Sequence, residues 1–365
     1  MDSISQKPAL PVTVLTGFLG SGKTTVLARL LRHEEFRNTA VIINEFGEVG
    51  LDHDLLEQSR EELVLLSNGC ICCTVRGDLL SAFEKMEAQR VAGAIDRVII
   101  ETTGLADPAP ILHTLMSDPV VTSHYWLDQV IATVDAVNGM ATLDRHPEAV
   151  KQAAIADRIL LTKLDLVDAE SGAELRARLK VLNPAAPIVE SLNGALDPQE
   201  LLGAQAGGRT ERLAHVDQWL RSDSYAGHDR DHDNDDDHEH EHGHHHDAHD
   251  HGTDRNRHDD HIRAYSVIRD QPVSWAGVSA WLDMIGKMRG DDLLRVKGII
   301  NVIEHPSRPV VVHGVQHLFH PPVFLDKWPS DDHRTRLVFI TRDIDREDID
   351  STLAVFENRR VRAAT

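Results

Sequence analysis

The chain is poor in cysteine, in long apolar runs and in positive charge, and each shortage removes a class of protein. Its 365 residues hold three cysteines, all within four positions, so no disulfide framework staples the fold. No apolar run reaches the length of a bilayer span. Met1 to Pro11 lacks the basic-then-apolar pattern of a secretory leader, which predicts a cytoplasmic protein. Lys and Arg number 38 against 59 Asp and Glu, and a net charge of −21 argues against nucleic acid or an anionic membrane as partner. About half of that excess is concentrated in one place. From His228 to His261 there are thirteen acids, three arginines and twelve histidines, a low-complexity tract with no apolar anchor; it predicts a segment that stays unfolded without metal. The chain as a whole is 41% hydrophobic and long enough for two domains.

What is present begins with Val12-Thr13-Val14-Leu15, an apolar, β-branched run that reads as a buried strand. It leads through Gly17, Phe18, Leu19, Gly20, Ser21, Gly22, Lys23, Thr24 and Thr25 into an amphipathic helix. Strand, G-x-x-x-x-G-K-T, helix is the phosphate-binding loop in its required context. Its glycines let backbone N–H groups turn inward on phosphate oxygens. Lys23 supplies a point charge for the β- and γ-phosphates, and Thr24 offers a hydroxyl to Mg²⁺ at a helix N-terminus.

Further apolar strands are predicted at 39–44, 63–66, 98–101, 130–134, 158–162 and 187–192, with helices at 78–89, 110–116, 147–156 and 171–182. Strands apolar on both faces and alternating with helices predict an α/β fold, a largely parallel sheet covered on both sides. After the histidine tract, order resumes. A half-exposed strand (263–268), a helix through Trp275, Val278, Leu282, Ile285 and Met288, strands at 293–303, 309–315 and 336–341, and a closing helix (349–356) predict a smaller α+β domain. The expected division is 1–200, a linker at 201–261, and 262–365.

Three constellations carry chemistry. Val98-Ile99-Ile100-Glu101-Thr102-Thr103-Gly104 has the form of a second phosphate-site strand: Glu101 holds the Mg²⁺ shell where an Asp is usual, and Gly104 approaches the γ-phosphate. Thr162-Lys163-Leu164-Asp165 has the form of the guanine-reading Asn-Lys-x-Asp with Thr for Asn. Asp165 accepts from guanine N1–H and the 2-amino group, and the Lys163 stem covers the base. Cys70-Ile71-Cys72-Cys73 places three thiols where a turn can converge them on one soft cation, Zn²⁺ or Cu⁺. The fourth position is left to water, a partner's residue, Glu45, His113 or His124. His313, His317 and His320 are a weaker set, more ordinarily surface or packed histidines.

These residues together resemble the CobW-type metal-handling GTPases, which group with the nickel-inserting GTPases of urease and hydrogenase maturation. Asn44-Glu45-Phe46-Gly47-Glu48, the Glu101 to Pro108 stretch and Leu294-Arg295-Val296-Lys297-Gly298 carry the resemblance beyond the motifs above. It implies a GTP-hydrolysing metallochaperone with Mg²⁺. Zinc held by Cys70, Cys72 and Cys73 passes to a client metalloprotein, and GTP hydrolysis drives release. Glu45 is assigned as an added acid on the metal side, Asp52 as a Mg²⁺- or water-positioning residue, and Lys23 and Glu101 as catalytic. The rival readings are a cobalt or nickel chaperone, as for cobalamin assembly, a non-catalytic zinc buffer or sensor, and a kinase-like transferase.

Overall fold

The computed structural model describes residues 9–43, 63–65, 74–191 and 261–357, with the single positions 197, 201 and 220. The expectations for Glu45, Asp52, Cys70, Cys72, Cys73 and the tract 228–260 lie outside the described residues.

Among the described residues, the first half builds a seven-stranded sheet, and every pairing in it is parallel. The chain enters on β1 (Leu10–Gly17), passes through α1 (Lys23–Leu30), and adds β2 (Thr39–Ile43) and β3 (Leu63–Leu65). Helix α2 (Thr74–Ala92) leads to β4 (Arg97–Glu101), and α3 (Ala109–Ser117) and α4 (Pro119–His124) lead to β5 (Tyr125–Asp135). Then follow α5 (Gly139–Arg145), α6 (Pro147–Ile155), β6 (Arg158–Thr162), α7 (Ala169–Leu182) and β7 (Ile188–Ser191). In space the strands run β3-β2-β4-β1-β5-β6-β7, so β1 is central, flanked by β4 and β5.

The order explains the hydropathy. Val12, Val14, Ile42, Ile100, Val130 and Leu161 face one helical layer, while Leu15, Val41, Ile99, Ile131 and Leu160 face the other around α1, and all are essentially sealed from solvent. Burial on both faces is why these strands read as continuous apolar runs. Caps fix the helix starts: the Asp118 carboxylate accepts from Val120 N at 3.0 Å to begin α4, and Asp168 accepts from Ser171 N at 2.7 Å to begin α7. Helix α2 starts four residues earlier than its apolar spacing predicts. Helices α4 and α5 were not legible; they are six and seven residues long, less than two turns, too short for periodicity to register.

The second unit is antiparallel. Strands β8 (Ile262–Arg269), β9 (Arg295–Ile300), β10 (Val310–Val315), β11 (Leu318–Phe319) and β13 (Thr335–Arg342) pair in the order β11-β10-β9-β13-β8, with β12 (Val323–Phe324) also on β10. Helices α8 (Trp275–Arg289) and α9 (Arg346–Glu357) cover one face over Trp281, Phe339, Ile300 and Ile349. The other face packs on the first unit: Leu294, Ile299, Val311, Val338 and Ile340 join the same apolar cluster as β1 and β4. The two units therefore share a core rather than meeting only through a linker. No helix of the described residues is long and apolar enough to cross a membrane.

Candidate nucleotide site and its surroundings

The loop after β1 sits where β4, β1, β5 and β6 all end, the carboxyl edge at which open parallel sheets bind ligands. Gly17 is required there: its φ is +142° and a Cβ would lie 2.2 Å from Thr133 Oγ1 and 2.5 Å from the Thr133 carbonyl. The loop is pinned from beneath. Ser21 Oγ and Thr133 Oγ1 are 2.6 Å apart, and Ser21 N donates to the Phe18 carbonyl at 3.1 Å. Lys23, only 7% exposed, donates from Nζ to the Gly17 carbonyl at 2.9 Å and the Phe18 carbonyl at 3.3 Å, which holds the ammonium over the loop. Phe18 stacks on His146 with ring centres 4.4 Å apart, while Leu19 stands exposed at the tip. Gly20 and Gly22 take positive φ, and Thr25 follows in the first turn of α1.

Thr24 Oγ1 donates to Glu101 Oε1 at 2.7 Å. Glu101 ends β4, in register with Leu15 of β1, and is 2% exposed. A hydroxyl and a buried carboxylate, both hard oxygen donors beside a phosphate loop, fit Mg²⁺. The longer reach of Glu over Asp is taken up by the turn: Glu101 meets the first turn of α1. Gly104 follows, packed so tightly that a Cβ would stand 2.6 Å from Leu19 N and Cα. The segment is tied down by side chains the sequence did not single out. Gln152 of α6, 1% exposed, donates from Nε2 to the Ala106 carbonyl at 3.0 Å and the Gly104 carbonyl at 3.4 Å. Lys151 pairs with Asp107 at 3.1 Å. Polar residues on an amphipathic helix read as solvent-facing, so no local signal marked them.

The Thr162 to Asp165 motif lies beside the loop. Thr162 Oγ1 donates to the Ser21 carbonyl at 2.8 Å, with the Val134 carbonyl 3.2 Å away. The Thr162 hydroxyl thereby reaches the loop directly. Lys163 adopts φ +60° and donates to the Gly20 carbonyl at 2.9 Å and to Asp135 Oδ2 at 2.7 Å, so its stem crosses the loop mouth. Burial alone would raise the Asp135 pKa; hydrogen bonds from Lys163, Asn138 and the Val137 N–H outweigh it and hold the carboxyl below its ordinary range. Asp165 sits exposed on the turn 164–166, accessible to a base edge. Asp135 could have been found from sequence as an acid ending a buried strand.

Among the described residues no three His, Cys, Asp or Glu side chains converge as a metal cluster. His124 ends α4. His113, on α3, faces the second unit, its ring 5.5 Å from that of His317; burial, His317 and Arg76 lower its pKa. His313 and His320 lie 5.2 Å apart, centre to centre.

Comparison with known proteins agrees with this geometry. The CobW/HypB/UreG nucleotide-binding domain profile matches residues 11–190, and that of the cobalamin synthesis protein cobW C-terminal domain matches 262–357. The chain is 32% identical to the zinc chaperone YjiA of Escherichia coli over 94% of this chain and 98% of that protein. It is 34% identical to the zinc chaperone CobW of Pseudomonas aeruginosa over 94% and 90% of the two chains. The crystal structure of Zn(II)-bound YjiA GTPase superimposes with a TM-score of 0.63 at 27% identity, covering 97% of this chain and all of that one.

Proposed function

We propose that this chain, which belongs to the CobW/HypB/UreG nucleotide-binding family and carries the cobW C-terminal domain, holds Zn²⁺ at Cys70, Cys72 and Cys73 and delivers it to a client metalloprotein, with release driven by GTP hydrolysis. The chain is a P-loop GTPase that acts with Mg²⁺ and handles zinc. The observation that carries the reading is the junction of Lys23, Thr24, Glu101 and Gly104 at adjoining strand ends, within a chain alike over nearly its full length to zinc chaperones.

In this reading the N–H groups of Gly17 to Thr25 and the Lys23 ammonium take the phosphates. Thr24 and Glu101 would hold Mg²⁺, which when bound neutralises phosphate charge as the leaving group departs. Gly104 meets the γ-phosphate, and Asp165 with Lys163 selects guanine, since a carboxylate left facing the wrong base edge costs its desolvation. Asp52 positions Mg²⁺ or water, and Glu45 stands with the thiolates. Three thiolates leave the zinc an open position through which a client's ligand can displace it. Loss of the γ-phosphate releases the loops around Gly104, and a thiol geometry that differs between the two states gives the metal a different affinity in each.

The test is a competitive Zn²⁺ titration without nucleotide, with GDP, and with a non-hydrolysable GTP analogue. A one-to-one site lost in Cys72→Ser, with nucleotide-dependent affinity, supports the carrier. Equal affinity in all three states returns the buffer reading. Tighter Co²⁺ or Ni²⁺ binding coupled to nucleotide favours those cargoes. Hydrolysis must vanish in Lys23→Ala.

A further inference from the structure

We infer that His113 and His317 form a second divalent-cation site, suited to Zn²⁺, that bridges the GTPase sheet and the C-terminal antiparallel unit. The two histidines belong to different units, 204 positions apart by their numbering, yet their ring centres are 5.5 Å apart at an interplanar angle of 51°. That spacing is what a shared tetrahedral ion asks for. With Zn–N near 2.0–2.1 Å, each ring centre stands about 3.2 Å from the ion, and two rings at the tetrahedral angle stand about 5.2 Å apart.

The hydrogen bonds prepare His113 as a ligand. Ser117 Oγ lies 2.9 Å from the His113 carbonyl, to which it donates, and 3.2 Å from His113 Nδ1. The hydroxyl has one proton, and the carbonyl can only accept. Its lone pair therefore receives Nδ1–H, which leaves Nε2 as the bare nitrogen. A ligating histidine anchored through its other ring nitrogen is the usual arrangement at metal sites. Both backbones are held: His113 lies mid-helix on α3, and His317 is seated so close to Gly290 that a Cβ there would stand 2.5 Å from His317 Cβ. Arg76 is paired with Asp118 at 2.8 Å, and that carboxylate offsets part of its repulsion of an entering ion.

The neighbouring pair, His313 and His320, is equally close but unsuited. His313 faces Arg295 and Lys297, two buried cations that both pair with Asp157. A divalent ion added there would be repelled by both of these cations. His317 instead is exposed and lines an open groove of about 790 Å³ between α8 and the β10–β12 strands. With no third His, Cys, Asp or Glu converging among the described residues, two coordination positions remain for water or a visiting ligand. Such a site holds an ion in transit rather than storing it. An ion that bridges two units also favours the orientation that creates the site, and by linkage that orientation favours the ion.

The experiment is histidine footprinting by carbethoxylation of the full chain in zinc buffers, read residue by residue by mass spectrometry, with cysteine alkylation followed in the same samples. The expected result is that His113 and His317 lose reactivity together, roughly tenfold and with one midpoint, while His305 and His333 do not; Ser117→Ala raises that midpoint by about tenfold. In His317→Ala the protection of His113 disappears. Protection of His113 that survives His317→Ala, separate midpoints, or no protection at free Zn²⁺ that shields the cysteines would each overturn the proposal. Cysteine protection reports independently on the Cys-x-Cys-Cys reading, so the two fail separately.

Discussion

Replacing Asp157 by Asn tests how the two units are held. Asp157 precedes β6 at the amino edge of the parallel sheet, the edge opposite the phosphate loop. Its Oδ2 accepts from Val130 N at 2.9 Å, and its Oδ1 accepts from Lys297 Nζ at 2.6 Å and from Arg295 Nη2. The side chains are 16%, 10% and 4% exposed for Asp157, Lys297 and Arg295, so water screens the cluster little. Asparagine keeps the shape and removes the charge that both buried cations face. Breaking a buried pair in this way costs about 3–5 kcal/mol. At about 2–4 °C per kcal/mol for a unit of this size, the melting transition should fall by on the order of 10 °C. Differential scanning calorimetry measures the fall, and hydrogen exchange at β9 locates it. Adding Lys297→Met removes one of the two cations and should recover part of the loss. A fall under about 2 °C, or a double variant no better than the single one, would refute the argument. The pH dependence has a definite sign. Burial would raise the Asp157 pKa, but Arg295, Lys297 and His313 depress it strongly. A depressed folded pKa gives stability that is fully present above the unfolded value of about 3.9 and lost as pH falls below it, so Asp157 itself adds no pH dependence from about 5 upward. His313, whose pKa burial holds well below its ordinary value, instead costs stability as pH falls through its unfolded value of about 6.5.

Other outcomes follow from the nucleotide site. Gln152→Leu leaves the Gly104 and Ala106 carbonyls without their donor; kcat for GTP should fall about fivefold to tenfold with GDP affinity nearly unchanged, by steady-state hydrolysis and calorimetry. Gly104→Ala drives a methyl into the Leu19 backbone and should abolish hydrolysis while circular dichroism stays native. Asp165→Ala should weaken GTP at least tenfold without changing tripolyphosphate affinity, since only the base contact is lost. Asp135→Asn loosens the ion pair to Lys163 and should narrow the preference for GTP over ATP in a competition assay.

The nucleotide half was legible because its signals are local. β-Branched runs announce buried parallel strands, and the spacing of Gly17, Gly22 and Lys23 states a turn whose geometry other residues cannot supply. Glu101 was singled out by its distance from the loop, and in the structure it meets Thr24 across the strand ends. What escaped is what depends on tertiary proximity. Asp157 meets Arg295 from 138 positions away, and nothing in either neighbourhood marks them as partners. Gln152 has the hydropathy of a surface residue and is 1% exposed. The short β11 and β12 fell below the length at which alternation can be counted.

Helix α3 is the element on which these features meet. Its first residue follows the Gly104 to Pro108 segment directly, and Asp107 Oδ1 accepts from Ala109 N at 2.9 Å, so the helix start is fixed to that segment. One face packs on α2, the helix that follows the cysteine motif in sequence, and another packs on β10 and β11 of the C-terminal unit. His113 is the fifth residue of this nine-residue helix. Two turns of helix move nearly as a rigid body, because each hydrogen-bonded turn resists independent rotation. A displacement of Gly104 when the γ-phosphate leaves is therefore carried to His113 rather than absorbed between them. If so, the spacing of His113 and His317 depends on the nucleotide. Spin labels at Ser117→Cys and Gln316→Cys, with the three native cysteines replaced by serine, measure that spacing. A distance distribution that shifts between GDP and a non-hydrolysable GTP analogue is the expected result. Identical distributions, with both nucleotides shown to be bound, would mean that α3 does not transmit the state of the phosphate site to the seam.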